Sequence, residues 1–177
     1  MKLSEESISQ DQINDFKTIE QTMEKLSDGA RRLAAQLTTT ASFNSLWSVL
    51  TDYDRLNLFI PNLLSSKKIF RKETNLHVRQ VGSQDFLGLK FSAEVLLDLY
   101  EEKDNGLIKF NLIKGDFRKF EGYWKIQSIG NSGKNSLIYD LTVKGCQWMP
   151  IAMIEKRLKR DLSENLIAVD KQARLSH

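Results

Sequence analysis

The stretch FSAEVLLDLYEEKDNGLIKFNL, residues 91–112, has the pattern of two strands joined by a tight turn. Residues 91–99 and 108–112 alternate between apolar and polar side chains. A period of two is typical of a strand that turns one face toward a core. The sequence Asp-Asn-Gly at 104–106 suits the turn, because Asn and Gly adopt positive φ at low cost. We therefore predict an antiparallel hairpin with one buried face.

Similar runs continue on both sides of this hairpin, separated by residues that favour turns. The strand-like segments lie near 32–39, 64–73, 75–84, 88–101, 107–114, 117–129 and 136–145. The connections between the last six are too short for parallel crossovers, which need about a dozen residues or more. We predict a sheet of about seven strands, most of it an antiparallel meander.

Helical patterns flank the predicted sheet. Ser42 or Thr40 can cap a short helix through residues 46–50, and a second short helical stretch ends at Pro61-Asn62. The longest helix begins at Pro150 and runs to about residue 172, with apolar residues at intervals of three and four. This order predicts the α+β class. The arrangement is a helix grip, in which a curved antiparallel sheet wraps around the C-terminal helix and encloses space between them.

The first 28 residues differ from the rest in charge and in pattern. Three Lys against seven acidic residues give them a net charge of −4, whereas 23 Lys and Arg against 16 acids give the remainder +7. Ser9 and Gln12 have the spacing of a capping box, and apolar residues then recur every three or four positions up to Gly29. We predict an acidic helical extension over 1–28 and a ligand-binding domain over 29–177. The helix either packs on its own domain or docks on a partner.

Composition excludes several classes of protein. The chain has 177 residues, of which 41% are hydrophobic and 28% charged, as in one ordinary globular domain. One cysteine, Cys146, and two histidines make a disulfide framework impossible and a zinc site improbable, so we predict no metal and no cofactor. The start lacks the apolar stretch of a signal peptide, which favours a cytoplasmic protein. The basic residues are mostly dispersed, which favours a solvated surface over a nucleic-acid partner.

The inner face of the predicted sheet is rich in large aromatic residues. From periodicity alone, a filled core is favoured over a ligand cavity. Two polar residues, Arg118 and Gln80, fall on this inner parity. Arg118 stands at a strand start, where solvent at the rim is the favoured position for its guanidinium. Inside a cavity, either side chain would orient the polar end of a ligand.

Catalytic patterns do not stand out. The sequence contains no nucleophile elbow, phosphate loop or dinucleotide fingerprint. His77 falls on the polar side of its strand, and Cys146 has no neighbouring base in sequence. The residues thus identify no catalytic group and leave the question of an enzyme open.

Two segments carry a resemblance to a known family. TDYDRLNLFIPNLLSSKKI (Thr51–Ile69) and MPIAMIEKRLKRDLSENL (Met149–Leu166) flank the meander, and Phe120, Gly122 and Trp124 form a Phe-x-Gly-x-Trp pattern. Together they resemble the polyketide cyclase/dehydrase family of the START-like (helix-grip, SRPBCC) superfamily, which also holds the coenzyme Q-binding proteins. The resemblance runs from about residue 31 to 173. It implies an internal cavity and so reverses the preference for a filled core.

The resemblance implies binding or transport of a small hydrophobic molecule, such as a lipid, a quinone or another isoprenoid. The residues predicted to contact it are Gln80, Phe91, Val95, Phe110, Arg118, Phe120, Trp124, Tyr139, Leu141, Ile154 and Leu158. The alternative is an enzyme of the cyclase/dehydrase type, with Arg118 and Gln80 orienting carbonyl groups. Four basic residues on the helix face opposite the cavity are predicted to contact anionic headgroups of a membrane, namely Lys156, Arg157, Lys159 and Arg160. In a third hypothesis the acidic extension recruits a partner and the cavity is incidental.

Overall fold

The structure, a computed structural model, describes residues 19–73 and 75–175. Its elements in chain order are β1 (Ile19–Lys25), β2 (Arg31–Thr39), α1 (Phe43–Thr51), a 3₁₀ helix (Tyr53–Leu58), β3 (Leu63–Lys72), β4 (Asn75–Phe86), β5 (Leu89–Glu102), a 3₁₀ turn (Lys103–Asn105), β6 (Leu107–Gly115), β7 (Phe117–Ser128), β8 (Asn135–Gly145) and α2 (Ile151–Leu175). The predicted α+β class and helix-grip arrangement are confirmed.

The described strands form one sheet in the order β1-β2-β8-β7-β6-β5-β4-β3, and every neighbouring pair is antiparallel. From β3 to β8 each strand pairs with the next, which is the predicted meander. β2 lies beside β8, so the first predicted strand closes the far side of the meander. The sheet is curved, and α2 lies across its concave face.

The sheet has an eighth strand where a helix was predicted. Ile19–Lys25 form β1 and pair along their whole length with β2, so the helix is wrong for these residues. The reason lies in the spacing of Ile19 and Met23, which are four positions apart. An interval of four fits one face of a helix, but it is also even and therefore fits one face of a strand. Both side chains pack against the core, and β2 offers β1 a free edge to pair with.

Gln21 joins β1 to α2. Its Nε2 donates a hydrogen bond to the carbonyl oxygen of Lys159 at 2.9 Å, and its Oε1 accepts one from Ser163 Oγ at 2.9 Å. The earlier part of the predicted helix, residues 9–18, lies outside the described residues. The proposed division of the chain at residues 28 and 29 stays a prediction.

The two short helical elements close one end of the curved sheet. Ser42 caps α1, as its side chain accepts a hydrogen bond from the backbone N–H of Ser45 at 3.1 Å. The helix buries one apolar side, made of Leu46, Trp47, Val49 and Leu50. The 3₁₀ helix that follows buries Tyr53 and Leu56.

The C-terminal half of α2 is anchored at this closed end. Asp170 is buried and accepts a hydrogen bond from Thr39 Oγ1 at the end of β2, while Arg174 Nε donates to it at 3.1 Å. Thr39 Oγ1 also accepts from the backbone N–H of Ala41 at 2.9 Å, and Asn135 Nδ2 donates to the carbonyl oxygen of Ala41 at 2.9 Å. These bonds tie the end of β2, the approach to α1, the start of β8 and α2 together.

The opposite end of the sheet is open. The β4–β5 turn, the β6–β7 turn and the connection from β8 to α2 all lie there, because antiparallel pairing brings alternate strand ends to one edge. The N-terminal half of α2 crosses the concave face near this end. Among the residues that the structure describes, no helix has the length and apolar character needed to cross a membrane.

Gly122 in β7 offers a test of the close packing of the sheet. A Cβ at this position would lie 2.0 Å from the carbonyl oxygen of Asp140 and 2.9 Å from Cζ of Phe110. Because backbone cannot yield as a flexible side chain does, we expect Gly122→Ala to lower the free energy of unfolding by about 1–3 kcal/mol. Urea unfolding followed by circular dichroism measures the change.

The control for this variant is Gln127→Ala, an exposed position on the same strand. It is expected to change the free energy of unfolding by no more than about 0.5 kcal/mol. Equal stability of Gly122→Ala and the wild-type protein would contradict the tight approach of the two strands at this glycine.

Candidate functional site

A cavity of about 200 Å³ lies between the concave face of the sheet and α2. Its volume is below the ~300–1,000 Å³ of common small-molecule sites, and its lining is mostly apolar, as in such sites. Strands β4 to β8 supply one wall, α2 supplies the other, and residues between Leu50 and Leu63 also line the cavity. Trp148, in the connection between β8 and α2, also lines the cavity and is 53% exposed, which marks this side as the mouth.

Stacked aromatic rings form the wall on the sheet side. Trp124 and Tyr139 are register partners on β7 and β8, and their rings stack with centroids 3.9 Å apart. Phe110 lies 5.9 Å from Phe120 and 6.2 Å from Tyr139, and Phe117 lies 5.4 Å from Phe120. Aromatic pairs at such distances stabilise each other beyond the area they bury. The wall is therefore a preformed apolar surface.

Ten of the eleven side chains predicted to contact a ligand line this cavity. They are Gln80, Phe91, Val95, Phe110, Phe120, Trp124, Tyr139, Leu141, Ile154 and Leu158. The strand alternation brought them to one side because each strand keeps one apolar parity from end to end. Their role in binding stays a prediction.

Arg118 is the exception, because it is exposed and outside the cavity lining; this agrees with the solvent position favoured at the strand start and does not support the predicted ligand contact. Phe117 pairs with Gly145 while Lys119 pairs with Lys144, so β7 carries a bulge with Arg118 as the extra residue. The bulge moves the exposed Arg118 out of the alternation and brings Phe117 to the cavity side together with Phe120. The alternation of side chains between the two faces of β7, followed back from Trp124, therefore breaks at the bulge near the start of the strand.

The predicted position of Arg157, on the helix face opposite the cavity, is wrong. Arg157 lines the cavity, as do Asp161 and Asn165. The three residues follow one another at intervals of four, so they run alongside the apolar stripe that contains Ile154 and Leu158. The spacing of four places these residues beside the apolar stripe, but the charge of Arg157 favours a solvent-exposed position when the sequence is considered alone.

Arg157 and Asp161 form an ion pair inside the site. Nε of Arg157 lies 2.7 Å from Oδ2 of Asp161, and the two side chains are only 28% and 13% exposed. The guanidinium also reaches across to β4, since a Cβ at Gly82 would lie 2.7 Å from its Nη2. The absence of a side chain at Gly82 thus makes room for Arg157.

Burial governs the electrostatics of this region. It raises the pKa of Asp161, and the charges of Arg157 and Arg160 and the hydrogen bond from Arg157 offset this only in part. Burial also raises the pKa of Tyr139, with a further contribution from the charge of Asp161. Tyr139, Arg157, Asp161 and Asn165 are called the polar cluster below. It provides an ionisable pair and a phenol against an otherwise apolar lining.

The sequence model of a protein family described as "Polyketide cyclase / dehydrase and lipid transport" matches residues 39–170. This range contains every residue of the cavity lining and the polar cluster. No curated protein sequence matches the chain.

Solved structures with the same fold include proteins with different printed functions. An aromatase/cyclase, Zhui, from Streptomyces sp. R1128 is 14% identical with a TM-score of 0.71, covering 82% of this chain and 94% of its own. A STAR-related lipid transfer protein from Xanthomonas axonopodis is 12% identical with a TM-score of 0.71, covering 87% and 98%. Human StAR-related lipid transfer protein 5 is 9% identical with a TM-score of 0.72, covering 90% and 84%. At these identities the likeness shows the fold alone.

The raised pKa of Asp161 has a consequence for stability that Asp161→Asn tests. A carboxyl whose pKa is higher in the folded state stabilises the fold at low pH, and this contribution is lost as pH rises through the folded-state pKa. The free energy of unfolding of the wild-type protein should therefore fall relative to that of the variant as pH rises from acid to neutral. Urea unfolding of both proteins at several pH values measures the difference. A difference that is independent of pH, or that grows in favour of the wild type, contradicts the burial of this carboxylate.

Proposed function

Since the chain belongs to the polyketide cyclase/dehydrase and lipid transport family, we propose that it binds or transports a small hydrophobic molecule in the cavity between the sheet and α2. The observation that carries this proposal is the cavity itself, with its wall of aromatic rings and its exposed mouth at Trp148. A lipid, a quinone or another isoprenoid matches an apolar lining that has polar groups on one side.

The energetic cost of the cavity supports a functional role for it. Space that side chains do not fill lowers stability, because the atoms that line it lose packing contacts. Larger side chains at positions such as Ala93 would fill the space, so an interior kept open serves binding better than it serves stability.

A second candidate is an enzyme of the cyclase/dehydrase type that acts on a hydrophobic substrate in the same cavity. Arg118 gives it no support, because this residue is exposed and outside the lining. The observation in its favour is the Arg157–Asp161 pair beside Tyr139, which sets an ionisable carboxyl and a phenol against an apolar lining. Organic extraction of the purified protein followed by mass spectrometry tests both candidates. A carrier returns an added ligand unaltered after incubation, whereas an enzyme returns a product.

The predicted membrane contact is retained with three of its four basic residues. Arg157 lines the cavity instead, whereas Lys156, Lys159 and Arg160 are exposed on α2. Trp148 and Ile151, which precede them at the mouth, are 53% and 57% exposed. Apolar side chains flanked by basic ones suit the surface of an anionic membrane. We propose that the mouth end contacts such a surface during loading, in a protein that the sequence predicts to be cytoplasmic.

Binding in the cavity is tested by Ala93→Trp. Ala93 lines the cavity on β5, so an indole there occupies space that a ligand needs. We expect the affinity for a lipophilic fluorescent probe to fall about tenfold or more, which is ~1.4 kcal/mol, together with the amount of lipid extracted. The matched control is Ala34→Trp, on the face of β2 that does not line the cavity. Equal loss of binding in both variants, or in neither, would contradict the cavity as the binding site.

Contact with a membrane is tested by Lys156→Glu/Lys159→Glu. Each basic residue near an anionic surface contributes about 1 kcal/mol, so binding to vesicles of phosphatidylcholine and phosphatidylserine should fall at least tenfold. Co-sedimentation at low and high salt measures it. Lys134→Glu/Lys171→Glu makes the same change in charge at the closed end and should retain most binding. If the two double variants bind equally, net charge rather than the mouth governs the contact.

A further inference from the structure

Three buried side-chain oxygens of the cavity lining have no hydrogen-bond partner in the part of the chain that the structure describes. Within the described residues, Oε1 of Gln84, Oδ1 of Asp161 and Oδ1 of Asn165 are buried and accept no hydrogen bond. All three residues line the cavity. Buried acceptors are normally satisfied, so a group left without a donor indicates where one is to be supplied.

Asp161 and Asn165 lie together on α2. They are four positions apart, which places their Cβ atoms about 5–6 Å from each other on one face of the helix. Oδ2 of Asp161 is engaged by Arg157 Nε at 2.7 Å, while Oδ1 has only a 3.5 Å contact with Nε of Arg160. The two free oxygens therefore belong to side chains that are neighbours on the cavity side of α2. The amide of Asn165 can rotate to present either end, but an ionised Asp161 can only accept.

The charges and hydrogen-bonding groups of the lining favour some ligand headgroups over others. Arg157 is compensated by Asp161, and the remaining polar residues of the lining are neutral. A carboxylate would bring a second negative charge against Asp161 in a poorly solvated space. A carbonyl can accept from the Arg157 guanidinium or the Tyr139 phenol, but it leaves the free oxygens without a donor. A hydroxyl donates to Asp161 or Asn165 and can still accept from the Arg157 guanidinium or the Tyr139 phenol.

We infer that the cavity selects hydrophobic molecules whose polar end is a hydroxyl group, which donates to Asp161 or Asn165. The inference rests on the proposed function and narrows it. Among lipids and isoprenoids it favours alcohols over aldehydes and acids. Among quinone-type ligands it favours the reduced form, which carries hydroxyl groups, over the quinone.

The probes for this inference are geraniol, geranial and geranic acid. They share one short isoprenoid chain and differ only in the headgroup, which is a donor, an acceptor or an anion. Titration calorimetry on the full chain at neutral pH is expected to show geraniol binding at least tenfold more tightly than either of the others. Asn165→Leu should weaken geraniol binding and leave geranial nearly unchanged, so that the preference falls. Glu164→Gln, half-exposed and outside the cavity lining, is the control and should keep the preference.

The comparison of headgroups on the wild-type protein needs no variant, so a poorly folded Asn165→Leu does not weaken the test. Equal affinity for geraniol and geranial, or tighter binding of geranic acid, overturns the inference and leaves the proposed function standing. If none of the three binds, the inference is also overturned. Binding of the lipophilic fluorescent probe then shows whether the proposed function fails as well. Probe binding that Ala93→Trp removes preserves the proposed function, and no probe binding at all overturns both.

Discussion

The buried hydrogen bond between Thr39 and Asp170 is the contact on which the position of α2 depends. Through Ala41 and Asn135 the same network holds the end of β2 and the start of β8. The side chains that pack around it on α2 have almost no exposed surface, namely Leu162, Leu166, Val169 and Ala173. Because the C-terminal half of the helix is held in this way, its N-terminal half extends across the concave sheet as a cover. The cavity lies mainly under that N-terminal half.

The two walls of the cavity differ in kind. The sheet contributes mainly aromatic and aliphatic side chains, together with Tyr139 of the polar cluster, whereas α2 contributes Arg157, Asp161 and Asn165 among its apolar residues. Under the proposed function, a ligand with one polar end would lie with its chain against Trp124 and Phe120 and its headgroup toward the helix. Free acceptors and open space both lower stability. A site built at such a cost is better explained by binding than by folding.

The sequence predicted the sheet better than the site, and the reasons are physical. Alternation defines a strand wherever one face is buried, so β2 to β8 could be located within a few residues. It failed at Ile19–Lys25, where an interval of four fits a helix and a strand equally well, and at the bulge around Arg118, which shifts the parity of β7. Arg157 was misassigned because its charge suggested solvent. Its partner Asp161 makes burial tolerable, and pairing of this kind becomes visible only when the helix is seen against the sheet.

The attachments of α2 near the mouth are asymmetric, and this bears on how a ligand reaches the cavity. On one side, Glu155 accepts a hydrogen bond from Arg31 of β2 at 2.7 Å, and Gln21 of β1 binds Lys159 and Ser163. On the other side, the guanidinium of Arg157 lies against Gly82 of β4, but its ion pair is made within the helix. Moving the N-terminal half of α2 away from β4 therefore breaks none of the hydrogen bonds described for that half, whereas moving it away from β1 and β2 breaks several. The lower-cost opening is between α2 and β4, on the side where the polar cluster would meet the headgroup of an entering molecule.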